Sequence, residues 1–176
     1  MTEQGDPNRA FERALGFAKS PQEAFAALHE LARATIGVRL FTVMSVDVLE
    51  RLAHRAYTSD PAHYPVTGTK PIERNAWFEA VVARHETFAA NSLQEIADVF
   101  PDHALIGSLG CGAVINLPVL RMGSAVATIN LLDVEGRYDE RAVARAQAKL
   151  ALASAAAVHL GAALAAEDAL PARQEA

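Results

Sequence analysis

The stretch GAVINLPVLRMGSAVATINLL, Gly112 to Leu132, decides the fold. Apolar and β-branched residues fill Ala113 to Leu120 and again Ala125 to Asp133, with a short turn-forming segment, Arg121 to Ser124, between them. That composition reads as a β-hairpin. Both strands are apolar at both parities, so they belong in a sheet covered on its two faces. Two residues break the apolar run, Asn116 and Asn130, each inside a phrase INL. Asparagine is disfavoured in strand interiors because its amide competes for backbone hydrogen bonds. A buried amide without a partner costs about 1–3 kcal/mol. Either these amides satisfy loop backbone, or they point into a pocket and hold a polar ligand. Strand parity puts Thr128 on the same face as Asn130.

Upstream, Val38 to Asp47 and Arg51 to Ser59 read as a second hairpin with a turn at Asp47 to Glu50. Two amphipathic helices precede it, over Asn8 to Ala18 and Pro21 to Ile36. Ser20, Pro21 and Glu23 form the start signal of the second, read as a capping box, and Gly37 ends it. Between the hairpins lies a Pro- and Gly-containing loop, then a helix from Asn75 with Trp77, Phe78, Val81 and Val82. Phe88 to Asn91 is a short strand, and Ser92 with Glu95 opens another helix that runs to Phe100. From Asp139 a long helix follows, with Val143, Leu150, Ala157 and Leu164 spaced by seven. That spacing suggests a coiled-coil-like seam, and together with Phe11, Leu15 and Phe25 it leads us to expect a homodimer through the terminal helices.

With 176 residues the chain suits one domain, divided as an N-terminal helix over 1–20, a main body over 21–166 and a disordered tail over 167–176. The net charge of −5 and the scattered basic residues argue against nucleic-acid binding. The single cysteine rules out an internal disulfide, and with no leader pattern the expected compartment is the cytoplasm. The apolar tract in the long helix is mostly alanine and is interrupted by Ser154, His159 and Gly161, so no membrane span is expected.

The order of helix, helix, hairpin, irregular middle, hairpin and long helix resembles the GAF domain family across residues 21–165. The resemblance is carried by VRLFTVMSVD with RLAHRAYTSD, by NAWFEAVVARHETFAANSLQ, and by the Gly112 to Leu132 stretch. It implies an α+β fold, a central antiparallel sheet of about five or six strands. The terminal helices lie on one face of that sheet, and the middle helices and loops roof a small-molecule pocket on the other.

Candidate site residues follow from where the resemblance puts that pocket. The segment Arg55 to Ile72 brings Arg55, Tyr57, Tyr64 and Lys70, two cations and two phenols suited to a small anionic or aromatic metabolite. The expected pocket is bounded by Tyr57, Tyr64, Lys70, Trp77, Asn91, Asn116 and Asn130, under the bend from Gly107 to Gly112. No metal site is expected, because His29-Glu30 and His85-Glu86 lack a second histidine at the required spacing. No cofactor is expected either, since the glycines precede a strand rather than a helix.

Cys111 stands in that bend between Gly110 and Gly112. A nucleophilic thiol needs a neighbour that stabilises the thiolate, and His103 is the one candidate. The enzymatic free methionine sulfoxide reductases of the family use several cysteines, and here there is one. The function expected is a dimeric metabolite sensor or binding protein. The alternative is a small thiol-dependent enzyme acting through Cys111 and His103, and enzymatic activity stays open.

Overall fold

The computed structural model describes residues 5–66 and 69–169. Residues 170–176 of the expected tail, and Gly68 of the loop, lie outside the described residues. Two helices open the chain, α1 over Pro7–Phe17 and α2 over Pro21–Thr35. Their starts are written in the sequence: Asp6 and Ser20 each accept a hydrogen bond from a first-turn amide, and Pro7 and Pro21 supply the preset φ of the first turn. The capping box at α2 is only half formed, because the Glu23 carboxylate accepts from Lys19 N at 2.7 Å rather than from Ser20.

Strands β1 (Leu40–Asp47) and β2 (Leu52–Thr58) form the first hairpin, and β3 (Thr69–Pro71) adds to its edge. A π-helix over Phe78–Ala83 leads to β4 (Phe88–Ala90). Two short helices follow, α3 (Leu93–Ala97) and α4 (His103–Ser108). At α3 the capping box is complete, with Ser92 and Glu95 each bonding the other's backbone amide. The second hairpin is β5 (Ala113–Arg121) and β6 (Ser124–Asp133), and α5 (Glu140–Asp168) closes the fold. The six strands form one antiparallel sheet in the order β3-β2-β1-β6-β5-β4, so the two hairpins meet at β1 and β6.

Alternation along the central strands divides the core in two. Phe41, Val43, Ile115, Leu117, Ile129 and Leu131 face α2 and α5. Leu40, Val114 and Leu132 face Ile96, Ile106 and Cys111 under α3 and α4. This is the two-sided coverage that the apolar strands require.

Several expectations need correction. β3 falls in what reads as loop, because a three-residue edge strand ending in proline carries no periodic signal. The middle helix is π rather than α over Phe78–Ala83. Two of the four heptad positions on α5, Leu150 and Ala157, are buried within the chain: its buried face runs Ala142, Ala146, Leu150, Ser154, Ala157, Val158 and Gly161, the pitch of a helix lying on a sheet and on α2. A Cβ at Gly161 would come 3.0 Å from the Phe25 ring, so glycine sets how closely α5 approaches α2. By length and composition α5 is apolar enough to cross a membrane, and these contacts give that apolarity a packing role.

Candidate functional site

Three strands lay a polar row across the α3/α4 side of the sheet. Thr42 of β1 and Asn116 of β5 both pair in register with Asn130 of β6. Asn116 Nδ2 donates to Asn130 Oδ1 at 2.5 Å, and Asn130 Nδ2 donates to Thr42 Oγ1 at 3.0 Å. The asparagines thus satisfy each other rather than loop backbone. The row ends at Asn116, 3% exposed, whose Oδ1 has no partner among the described residues. Turning both amides over leaves its Nδ2 in the same position, so the unpaired end is a property of the row.

Above one end of this row four side chains converge. A β-bulge in β2 makes this possible: Val43 pairs with Tyr57, yet the next residue, Met44, pairs with Arg55, so Ala56 is the extra residue. Arg55 is thereby turned to the roofed face and is 6% exposed. Its guanidinium lies 3.6 Å from the Tyr64 ring centroid, and Nη1 donates to Pro65 O at 2.6 Å. Asp102, at the start of α4, accepts from Tyr64 Oη at 2.7 Å and Lys70 Nζ at 2.5 Å, and lies 3.8 Å from Arg55 Nη2. Arg55 Nε has no partner among the described residues.

The charges are set by these contacts. Burial pulls the Asp102 carboxyl upward, but the bonds from Lys70 and Tyr64 and the lysine charge outweigh it and hold the group below the ordinary carboxylate range. Burial, then the Asp102 charge, push the Tyr64 phenol well above its usual value, so it stays a donor.

Thr42, Asn116, Asn130, Arg55, Tyr64, Lys70 and Asp102 line one cavity of about 80 Å³, whose remaining wall is Met44, Ile96, Phe100, Ile106, Val114 and Leu132. At roughly 10–15 Å³ for each water-sized site, it takes a molecule of about five to eight such sites. A larger cleft of about 290 Å³ on the helix side, between Phe25, Val43, Ala56 and Val158, is mostly apolar and holds none of the unpaired polar atoms.

Of the residues expected at the pocket, Tyr64, Lys70, Asn116 and Asn130 line this cavity and three others do not. Tyr57 lies on the opposite face against Phe25, Phe41 and His29, because the bulge at Ala56 reverses the parity between it and Arg55. Asn91 pins the segment before α5, its Oδ1 accepting from Tyr138 N and its backbone carbonyl from Gly136 N. Trp77 is half-buried at the entry to the π-helix and is outside the cavity lining. Thr42 and Asp102 are site residues that the sequence did not single out.

No hydrogen bond joins Cys111 to His103 among the described residues. Cys111 is packed among Ile106, Leu109 and Val114, and burial pushes its thiol up to about 11, with Arg39 and Asp133 as the charges that act on it. His103 bonds the Phe100 carbonyl. The bend itself is built for backbone: Gly110 has φ +75°, and a Cβ on Gly112 would come 2.8 Å from Glu135 Cβ. Among the described residues no group of three or more His, Cys, Asp or Glu side chains could hold a metal ion.

No protein-family model matches the chain, and no curated protein matches it in sequence. Solved structures do match. The GAF domain of a phosphoenolpyruvate-protein phosphotransferase from Coxiella burnetii is similar at TM-score 0.67 and 14% identity, over 93% of this chain and 95% of that one. A GAF domain/HD domain protein from Geobacter sulfurreducens gives TM-score 0.64 at 11% identity, over 83% and 97%. A free methionine-R-sulfoxide reductase from Neisseria meningitidis, solved in complex with its substrate, gives TM-score 0.53 at 14% identity, over 97% and 98%. At such identities the likeness speaks for architecture alone. The chain has the GAF fold, an α+β domain with a six-stranded antiparallel sheet between terminal helices and a roofed face.

Proposed function

We propose that this chain is a cytoplasmic small-molecule-binding domain, a metabolite sensor or binding protein. Its ligand rests on the Thr42, Asn130 and Asn116 row beneath α3 and α4. The observation that carries this is a pair of unpartnered polar atoms, Arg55 Nε and Asn116 Oδ1, on buried side chains lining the same cavity. Each such atom costs about 1–3 kcal/mol if nothing bonds it, and a ligand that reaches either one from the cavity relieves that cost. Two cations, Arg55 and Lys70, face one carboxylate, Asp102, so the surplus charge favours an anionic ligand. The volume supports a small anion over an aromatic body. The thiol-dependent alternative is less well supported, because Cys111 is buried and its thiol is raised to about 11.

The test is amide NMR with a library of small acids, amides and alcohols. The side-chain amide signals of Asn116 and Asn130 should move with a subset of the acids, and Asn116→Leu should abolish the response. A library that leaves both amides unmoved contradicts the proposal.

A further inference from the structure

The unpartnered atoms of the cavity, Arg55 Nε and Asn116 Oδ1, are both sealed from solvent, so whatever bonds them enters only after part of the wall moves. The hydrogen bonds single out which part. α3 is tied at both ends, by Leu93 N donating to Glu135 Oε2 at 2.9 Å and by Asn75 Nδ2 donating to Val99 O at 3.0 Å. Beyond α4 the chain is fixed again, with Arg39 Nη1 donating to Gly110 O at 3.4 Å and Gly112 N to Asp133 O at 2.8 Å. Between these bases lies the segment 100–109, which carries α4. The side chains of His103 and Ser108 bond carbonyls inside that segment, and among the described residues the side-chain hydrogen bonds that leave it are those of Asp102 to Tyr64 and Lys70. Asp102 holds the N-cap position of α4, where an aspartate ordinarily accepts from the first helical amides, yet its side chain makes no such bond. The local cap is exchanged for partners more than thirty positions away. Little else holds α4: six residues form no stable helix alone, and one of them, Ile106, is buried.

We infer that residues 100–109 are a lid over the Thr42, Asn130 and Asn116 row and that Asp102 is its latch: when its carboxylate leaves Tyr64 and Lys70, α4 lifts and the cavity opens. The use of such a lid rests on the binding proposal above, but its test needs no ligand. Cys111 serves as the reporter. Its side chain is 2% exposed, in the apolar cluster of Ile106 and Leu109, so lifting α4 uncovers it. The charges that act on its thiol are Arg39 and Asp133. A change at Asp102 therefore alters labelling of Cys111 through access and not through the charge on the thiol.

Iodoacetamide labelling of Cys111 is followed at about pH 8 on the full chain, from no urea to the start of unfolding, as wild type, Asp102→Asn, Asp102→Ala, Tyr64→Phe and Leu150→Ala. Lifting a lid exposes little surface, so labelling by that route hardly depends on urea, whereas labelling through global unfolding climbs with the full unfolding slope. Without urea both Asp102 variants should label roughly tenfold faster than wild type or more, with rates that stay flat in low urea. Tyr64→Phe removes one of the two bonds and should lie between. Leu150→Ala loosens the helix-side core and is the control, which should shift only the urea-dependent branch. Unchanged labelling of the Asp102 variants without urea overturns the inference. So does a faster rate that climbs with the full slope from the outset, or an equal flat rise in Leu150→Ala. Should the Asp102 variants fail to fold, Tyr64→Phe carries the same outcomes. Fast, flat labelling with the Asn116 and Asn130 amides unmoved by any acid upholds the lid and removes the binding proposal, and moved amides without such labelling do the reverse.

Discussion

Cys111 shows how little a reactive residue type says without its surroundings. Its thiol is buried and raised to about 11, so alkylation by iodoacetamide at about pH 8 should be at least tenfold slower than for free cysteine, and should become ordinary in denaturant. Rapid labelling of the folded protein contradicts that placement. Asp102 makes the opposite case. Its folded pKa is depressed, so the stability it supplies is complete above the unfolded carboxylate value of about 3.9 and disappears as pH falls through the lower folded value. The difference in unfolding free energy between wild type and Asp102→Asn should therefore shrink as urea titrations move from about pH 6 to about pH 3. A gap that stays constant would mean the carboxylate charge does not matter. Asn116 and Asn130 were legible in the sequence because an amide inside an apolar strand must find a partner. Thr42 was not, because threonine is an ordinary strand residue. Asp102 was not, because an aspartate after proline reads as a local cap and nothing local reveals a link to Lys70.

At the scale of elements, helix starts and the two long hairpins were written in caps, prolines and β-branched runs. The element that composes the site was hidden in a single extra residue. Ala56 bulges from β2, and by doing so it sends Tyr57 to the helix-side core and Arg55 to the cavity. A strict alternation of two puts both on one face, whereas Tyr57 was expected at the pocket because the resemblance puts the whole Arg55 to Ile72 segment at its rim. Deleting Ala56 should restore that alternation and force either Arg55 into the apolar core or Tyr57 out of it. The expected loss is on the order of 3 kcal/mol or more in urea unfolding. A deletion variant as stable as wild type means the bulge does not direct these side chains. β3 and the π pitch of the expected middle helix escaped the sequence for a simpler reason: three residues show no period, and six do not separate a π from an α pitch.

For the whole molecule, the terminal helices were expected to form a dimer seam, and half of that seam, Leu150 and Ala157, lies against the sheet instead. Heptad spacing cannot separate the two uses, since a helix on a sheet and a helix on its twin both need an apolar stripe. A homodimer through the outward sides of α1 and α5 remains our proposal, supported by Phe17 and Leu152, which stand 74% and 85% exposed. Light scattering should give twice the chain mass, and Leu152→Glu should return the monomer. A monomeric wild type contradicts it. The account as a whole turns on the cavity over the asparagine row. The most direct measurement is a crystal structure of the purified protein soaked with the best-binding small acid. The account predicts density between Arg55 Nε and the Asn116 amide, with the carboxylate on Arg55 and Lys70. A cavity closed by repacked side chains, with Arg55 and Asn116 bonded only to protein, would contradict it.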